Sequence, residues 1–334
     1  MNIAVIGAGA MGSLFAARLI DGGADVTLVD VDEQLLETLR IQGLHLEDDQ
    51  GSRVYWPRVA RAEQLRGQAD ALLMLTKSYH TRQAVQACRH LLGPQTLVLT
   101  LQNGLDSVPV LREYVSDQCL AIGMTLYPAD VLAPGSVRSC GGGEVRLRGL
   151  LPEGELAADG RLASFVNGLR RGGMQCVEDP DIEVSIWEKV AFNTALNSLC
   201  ALSGESVGVV GRSSRGRELA GTLVAETALI AAPLGIALDA RRVIQAVQQA
   251  FVVHAGHKPS MLQDLEYGRR LEVDALSGAL LAIARQHGVR APVMAAIDRL
   301  LRRVQLGGEK RVGRQRGPEY GSAVRSTIDL LDTL

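Results

Sequence analysis

Lysine is nearly missing from this chain. Of its 35 basic residues, four are Lys, namely Lys77, Lys189, Lys258 and Lys310, and the rest are Arg. Asparagine is almost as scarce: Asn2, Asn103, Asn167, Asn193 and Asn197 are the full set. No uninterrupted apolar run approaches the ~20 residues of a membrane-spanning helix, so no membrane partner is expected. No basic excess is present either. The formal net charge is −2, which leaves no cationic field for nucleic acid. No charged leader precedes "NIAVIGAG", so the start reads as a strand rather than a secretory signal. Cys88, Cys119, Cys140, Cys176 and Cys200 are odd in number and without CxxC spacing. That suits reduced thiols and a cytoplasmic location. His254 and His257 lack a third nearby ligand, so no metal site is expected.

What is present is the composition of an ordinary globular protein. The 334 residues are 47% hydrophobic and 22% charged, enough for two domains. "NIAVIGAGAMGSLFAARLIDGGADVTLVDVDE" reads as strand, glycine turn, helix and strand. Gly7, Ala8, Gly9, Ala10, Met11 and Gly12 form G-x-G-x-x-G. In such a turn the glycines serve tightness, close approach to a pyrophosphate, and helix-on-strand packing. The helix N-terminus supplies N–H groups and partial positive charge for phosphate. Asp30 closes the second strand, where a carboxylate accepts from the adenosine ribose hydroxyls. Asp32 follows and the next Arg downstream is Arg40, so a 2′-phosphate would meet carboxylates. NAD is therefore expected over NADP, with NADP still open.

The α/β alternation continues. "ADALLMLTK" reads as a buried strand ending at Lys77, and residues 80–92 as helical. "TLVLTLQNG" leads to Asn103, "CLAIGMTLYPA" to Ala129, and "GEVRLRG" is a further strand. Ligands of open parallel sheets bind beyond the strands' carboxyl ends. Lys77 and Asn103 fit that edge, or they simply cap strand ends. "LHLEDDQGSRVYW" suggests an inserted hairpin. From about residue 182 the period becomes helical. The expected domains are residues 1–181, residues 182–305, and a mobile or docking tail over 306–334 that ends in "STIDLLDTL".

The segment "IWEKVAFNTALNSLCAL" is mostly apolar, yet carries Lys189, Asn193 and Asn197 at steps of four. On a helix they form one stripe about 12 Å long. A helix apolar nearly all round is buried, and an unpaired buried ammonium is costly. The stripe must therefore meet partners or a wet cleft. Asp264 and Glu272 are the candidate counter-charges for Lys189. Ser260 and Gln263 fit a capping box opening a helix, a site that also suits a carboxylate ligand.

"GAGAMG", "LTKSYHT", "LQNGL", "WEKVAFNTALN" and "SMLQDLEYGRRLEVD", in that order, resemble the ketopantoate reductase family over roughly residues 1–305. The resemblance implies an α/β chain: an N-terminal Rossmann-type dinucleotide-binding domain, then an all-α domain, with the active site in the cleft between them. It implies reduction of a small-molecule 2-oxo acid, 2-dehydropantoate, to (R)-pantoate by a nicotinamide cofactor. Lys189 then resembles the general acid. Asn193, Asn197 and Ser260 resemble substrate-binding residues, and Asn103 lines cofactor and substrate. Lys77, Ala129 and Glu272 match cofactor-side positions. A homodimer is compatible with this reading.

Two departures point to an alternative. Pantoate-forming members usually use NADPH and lack an acid at the position of Asp30. They also tend to carry a further Asn where this chain has Val207, next to Glu205 and Ser206. Both changes suit an NAD-dependent (R)-2-hydroxy acid dehydrogenase for an aryl or branched 2-oxo acid. A β-hydroxyacid or glycerol-phosphate dehydrogenase is disfavoured by the Lys–Asn–Asn spacing and "SMLQD". A non-enzymatic NAD-binding module would need no polar stripe. The sequence leaves the physiological 2-oxo acid open.

Overall fold

Successive residues of the central strands feed opposite faces of one sheet, and this dictates the first half of the molecule. Ile3 and Val5 join one buried cluster, Ala4 and Ile6 the other. Leu73 and Leu99 alternate in the same way with Leu72 and Val98. Strands buried on both faces need helices on both sides. The computed structural model describes residues 1–152 and 154–312 and divides into two units, Met1–Ile182 and Glu183–Leu334.

The first unit contains β1 (Asn2–Ile6), β2 (Asp25–Val29), β3 (Leu44–Asp48), β4 (Gly51–Tyr55), β5 (Arg58–Ala60), β6 (Ala71–Met74), β7 (Leu97–Thr100), β8 (Leu120–Thr125), β9 (Asp130–Ala133), β10 (Ser136–Ser139), β11 (Val145–Gly149) and β12 (Cys176–Glu178). Its helices are α1 (Ala10–Asp21), α2 (Glu33–Gln42), α3 (Thr81–Ala87), α4 (Ser107–Leu111) and α5 (Asp159–Arg171). The main sheet has eight strands in the order β12-β11-β8-β7-β6-β1-β2-β5. From β8 to β5 every pairing is parallel. The chain leaves β1 toward β2 and later returns on its other side through β6, which makes β1 the topological switch point.

Three features differ from the sequence expectations. The β6 strand ends at Met74, so Lys77 lies beyond it rather than at its last position. "GEVRLRG" does not extend the parallel run: β11 is antiparallel to β8. The connection from β8 passes through strands rather than a crossover helix, which lets the chain reverse. The hairpin β3–β4 is present, but β9 and β10 join it in a second sheet, β4-β3-β10-β9. All four residues of β9 are exposed, so no buried-face alternation announces that strand. This sheet is tied to α1 by Asp48, which accepts from Arg18 Nη2 at 2.6 Å and Arg53 Nη2 at 2.9 Å.

The second unit is helical among the described residues. It comprises α6 (Ile182–Ser203), α7 (Val207–Arg212), α8 (Ser214–Ala231), α9 (Ala240–Val253), α10 (Ser260–Glu266), α11 (Ala279–Gln286) and α12 (Pro292–Val312), with a π-turn over Asp274–Gly278. The expected tail begins inside α12, which runs through residue 312. Residues 313–334, including "STIDLLDTL", lie outside the described residues. Among those described, no helix is long and apolar enough to cross a membrane.

Candidate active site

One cluster of candidate residues, in the first unit, is the turn from β1 into α1. Gly7 sits at φ 104°, in the left-handed region, and its N–H donates to Val29 O at 2.8 Å. A Cβ on Gly12 would lie 1.7 Å from Gly7 O, so backbone packing alone demands glycine there. Gly9 is different: a Cβ there would meet nothing within 4 Å. Gly9 is also the N-cap of α1 and offers no side chain to the helix. The N–H groups of Ala10, Met11 and Gly12 have no intrahelical acceptor by helix geometry. Open space over uncommitted N–H groups is what a pyrophosphate requires.

Asp30 follows β2 beside this turn. Its Oδ2 accepts from Ala8 N at 2.7 Å, and its Oδ1 accepts from Val31 N and Asp32 N at 2.7 and 3.0 Å. The carboxylate is thus fixed against the glycine turn, and Oδ2, which accepts a single bond, keeps acceptor capacity for a ribose hydroxyl. Asp32 is turned the other way and caps α2 through Gln34 N and Leu35 N. Arg40 is paired with Glu33 and Glu37.

The strand-end loops are brought to the same edge. Leu75 and Thr76, just after β6, lie against Gly7. Gln102, just after β7, donates through Nε2 to Thr76 O at 2.8 Å and Thr81 Oγ1 at 2.9 Å. It thereby holds the loop of Lys77 beside the loop of Asn103, both half-buried. Ala129, beyond β8, packs half-buried against the sheet core. Gln102 was not foreseen as a positioning residue, although "LQNGL" contains it. Arg61 was missed entirely. Parallel pairing of β2 with β5 sets Val29 opposite Ala60, and Arg61 Nη1 donates to Val31 O at 3.1 Å.

A second cluster, in the helical unit, is the stripe on α6. Lys189 and Asn193 are half-buried and Asn197 is buried. Loss of hydration pulls the Lys189 ammonium down from its usual 10.5 to about 8, and the negative charge of Glu272 opposes that fall. Of the two counter-charges expected, Glu272 is therefore the one that acts on Lys189. Asp264 is buried and its Oδ1 accepts from Arg269 Nε at 2.7 Å. Among the described residues Lys189 makes no direct ion pair. Its proton is held by a balance of desolvation against a charge at longer range. Glu272 lies two residues before the π-turn, a feature common at functional sites.

The capping box does not form. Ser260 is the first residue of α10 rather than its cap, and Gln263 Nε2 donates to Lys258 O. Asn197 fills that role from α6. Its Oδ1 accepts from Met261 N at 3.1 Å and from Ser260 Oγ at 3.4 Å. The stripe and the start of α10 are therefore one polar cluster. Val207 is buried at the start of α7, where its N–H donates to His257 O at 3.0 Å. Its isopropyl group packs inward. Among the described residues no group of His, Cys, Asp and Glu could hold a metal.

Residues 3–150 match the family described as ketopantoate reductase PanE/ApbA, and residues 181–305 match its C-terminal domain. A 2-dehydropantoate 2-reductase of Halobacterium salinarum is 33% identical over 315 residues, covering 92% of this chain and 100% of that protein. Among solved structures, D-mandelate dehydrogenase with NADH and anilino(oxo)acetate superposes with a TM-score of 0.87 at 28% identity, covering 92% of this chain and 99% of that one. A 2-dehydropantoate 2-reductase of Geobacter metallireducens GS-15 gives a TM-score of 0.83 at 27% identity, with 91% and 99% covered.

Proposed function

The chain belongs to the ketopantoate reductase PanE/ApbA family and is an oxidoreductase, and from that premise we propose that it reduces 2-dehydropantoate to (R)-pantoate with NADH, using Lys189 as general acid. The observation that carries the reading is Lys189: an ammonium held at about 8 on a helix shared with two half-buried or buried amides. A nicotinamide held there would supply the hydride for the carbonyl carbon. As the C=O electrons move onto oxygen, Lys189 Nζ gives that oxygen its proton and is left as the neutral amine. A group poised near neutral pH is both largely protonated and a competent donor. The charged amine also stabilises the growing alkoxide. Asn193 and the amide N–H₂ of Asn197 hold the 2-oxo acid, with Ser260 beside them. Gly7 to Gly12 seat the pyrophosphate, and Asp30 the adenosine ribose.

A second reading is favoured by two observations: the likeness to D-mandelate dehydrogenase, and the carboxylate of Asp30 held against the glycine turn. In that reading the substrate is an aryl or branched 2-oxo acid and the product an (R)-2-hydroxy acid. Both readings are tested by one screen. 2-Dehydropantoate, benzoylformate and branched 2-oxo acids are each offered with NADH and with NADPH, and loss of reduced-cofactor absorbance is followed. The highest kcat/KM on 2-dehydropantoate sustains the first reading, and on benzoylformate the second. NADH binding without turnover of any 2-oxo acid would overturn both.

A further inference from the structure

We propose that Arg61 is a latent ligand for a cofactor 2′-phosphate, and that the single carboxylate of Asp30 keeps it silent. The inference rests on reading Asp30 as the ribose ligand. It starts from the register of the sheet. Asp30 N donates to Ala60 O, so the residue after β5 stands beside the residue after β2. From there the Arg61 side chain reaches over the loop that follows Asp30 and donates through Nη1 to Val31 O at 3.1 Å. Its Nε donates to Glu63 Oε1 at 2.6 Å. Nη2 has no partner among the described residues, and the side chain is 38% exposed.

A guanidinium pinned at two nitrogens is oriented before any ligand arrives, so little freedom is lost on binding. The other nearby cations are committed elsewhere. Arg40 is paired twice on α2, Arg58 pairs with Asp25, and Arg66 donates to Glu63 O and Leu65 O. Rossmann-type folds that accept a 2′-phosphate use an Arg near the end of the second strand, and those that select the free hydroxyl use a carboxylate. This chain has both, and they come from different strands. A phosphate dianion on the ribose edge would face the Asp30 carboxylate at short range, a like-charge contact that outweighs one partly solvated guanidinium. Removing that one charge while keeping its shape lifts the repulsion and leaves Arg61 Nη2 to donate to the phosphate, while Nε stays paired with Glu63.

The experiment measures Kd for NADH and NADPH, by fluorescence of the reduced nicotinamide, in the wild-type chain, Asp30→Asn, Asp30→Asn/Arg61→Met and Asp30→Asn/Arg61→Lys. We expect the wild type to prefer NADH. Asp30→Asn is expected to tighten NADPH by about tenfold to a hundredfold, the size of a charge-assisted hydrogen-bond change. Arg61→Met in that background should abolish most of the gain while NADH binding persists, and Arg61→Lys should restore part of it. A gain in NADPH affinity that survives Arg61→Met, or no gain at all in Asp30→Asn, overturns the proposal. So does a wild type that already prefers NADPH, because Asp30 then gates nothing. The Tm of each variant reports folding, and NADH binding by the wild type tests the ribose reading separately: a wild type that binds neither cofactor defeats that reading rather than this one.

Discussion

Asn197 accepts the backbone N–H of Met261 at 3.1 Å, and so a side chain from the middle of α6 caps the start of α10. The same oxygen receives Ser260 Oγ. Two residues taken separately as substrate ligands are thus mechanically one. Asn197→Ala removes the acceptor and leaves a buried N–H unsatisfied, at a cost of about 1–3 kcal/mol. The expected outcome is a lowered Tm together with a raised KM for the 2-oxo acid, with the Kd for NADH unchanged. A raised KM with an unchanged Tm would show that the capping bond contributes little.

Lys189→Ala should lose about 10²–10⁴-fold in kcat, the range for a general acid. Cofactor binding should survive, because the glycine turn and Asp30 belong to the other unit. Near-normal turnover in this variant would remove Lys189 from the mechanism.

The ionisation of Lys189 predicts the pH profile. Its proton is needed for reduction and is lost as pH rises through about 8. The rate of 2-oxo acid reduction should therefore fall above that pH. Oxidation of the 2-hydroxy acid, which needs the neutral amine, should rise across the same window. The negative charge of Glu272 raises the Lys189 value, so Glu272→Gln should move both limbs to lower pH. Profiles that stay in place in Glu272→Gln would show that Glu272 does not act on Lys189 electrostatically.

The glycine turn separates folding from binding. Gly12→Ala sets a Cβ against Gly7 O and should compromise the fold itself. Gly9→Ala meets no protein atom and has an ordinary extended backbone, with φ −72°. Its apo Tm should match the wild type, while its Kd for NADH rises about tenfold or more as the methyl intrudes on the pyrophosphate. An unaltered Kd would place the phosphates elsewhere.

Asp48 ties the last turn of α1 to the second sheet. Burial would raise its pKa, but hydrogen bonds from Arg53, Gln50 N and Arg18 hold it below the usual carboxylate range. Asp48→Ala leaves two guanidinium groups without that partner. The cost should be about 2–3 kcal/mol, below that of a fully buried pair because Arg53 is partly solvated. In the wild type this contribution is complete above the ordinary carboxylate pKa and disappears as pH falls through the lowered folded value. Urea denaturation of both proteins at neutral and acid pH measures the difference, which should shrink on acidification.

The parts of the site legible in the chain were those whose physics is local. The positive φ of Gly7 and the tight packing at Gly12 are needs of neighbouring residues, and so show up as a short glycine pattern. The steps of four from Lys189 to Asn197 follow from helix geometry alone. The alternating burial of β1 and β6 is written in continuous apolar runs. Scarcity of Lys and Asn made the stripe conspicuous.

What remained hidden depends on elements that meet only in the folded chain. Arg61 reaches the loop after Asp30 because β5 pairs with β2, and no local pattern specifies that pairing. Gln102 matters because β6 and β7 are neighbours. Asn197 replaces the expected Ser260 cap because α6 docks where α10 begins. The exposed β9 carries no buried-face alternation.

The sequence by itself determined that there is a dinucleotide turn, an acid after the second strand, and an ammonium among amides on a buried helix, because backbone geometry and side-chain periodicity are properties of adjacent residues. Tertiary structure alone decided which cation stands beside the acid, which side chain caps α10, and that burial pulls the Lys189 ammonium down to about 8. Desolvation and hydrogen-bond partners come from residues distant in the chain, and their energy does not exist until the chain has packed.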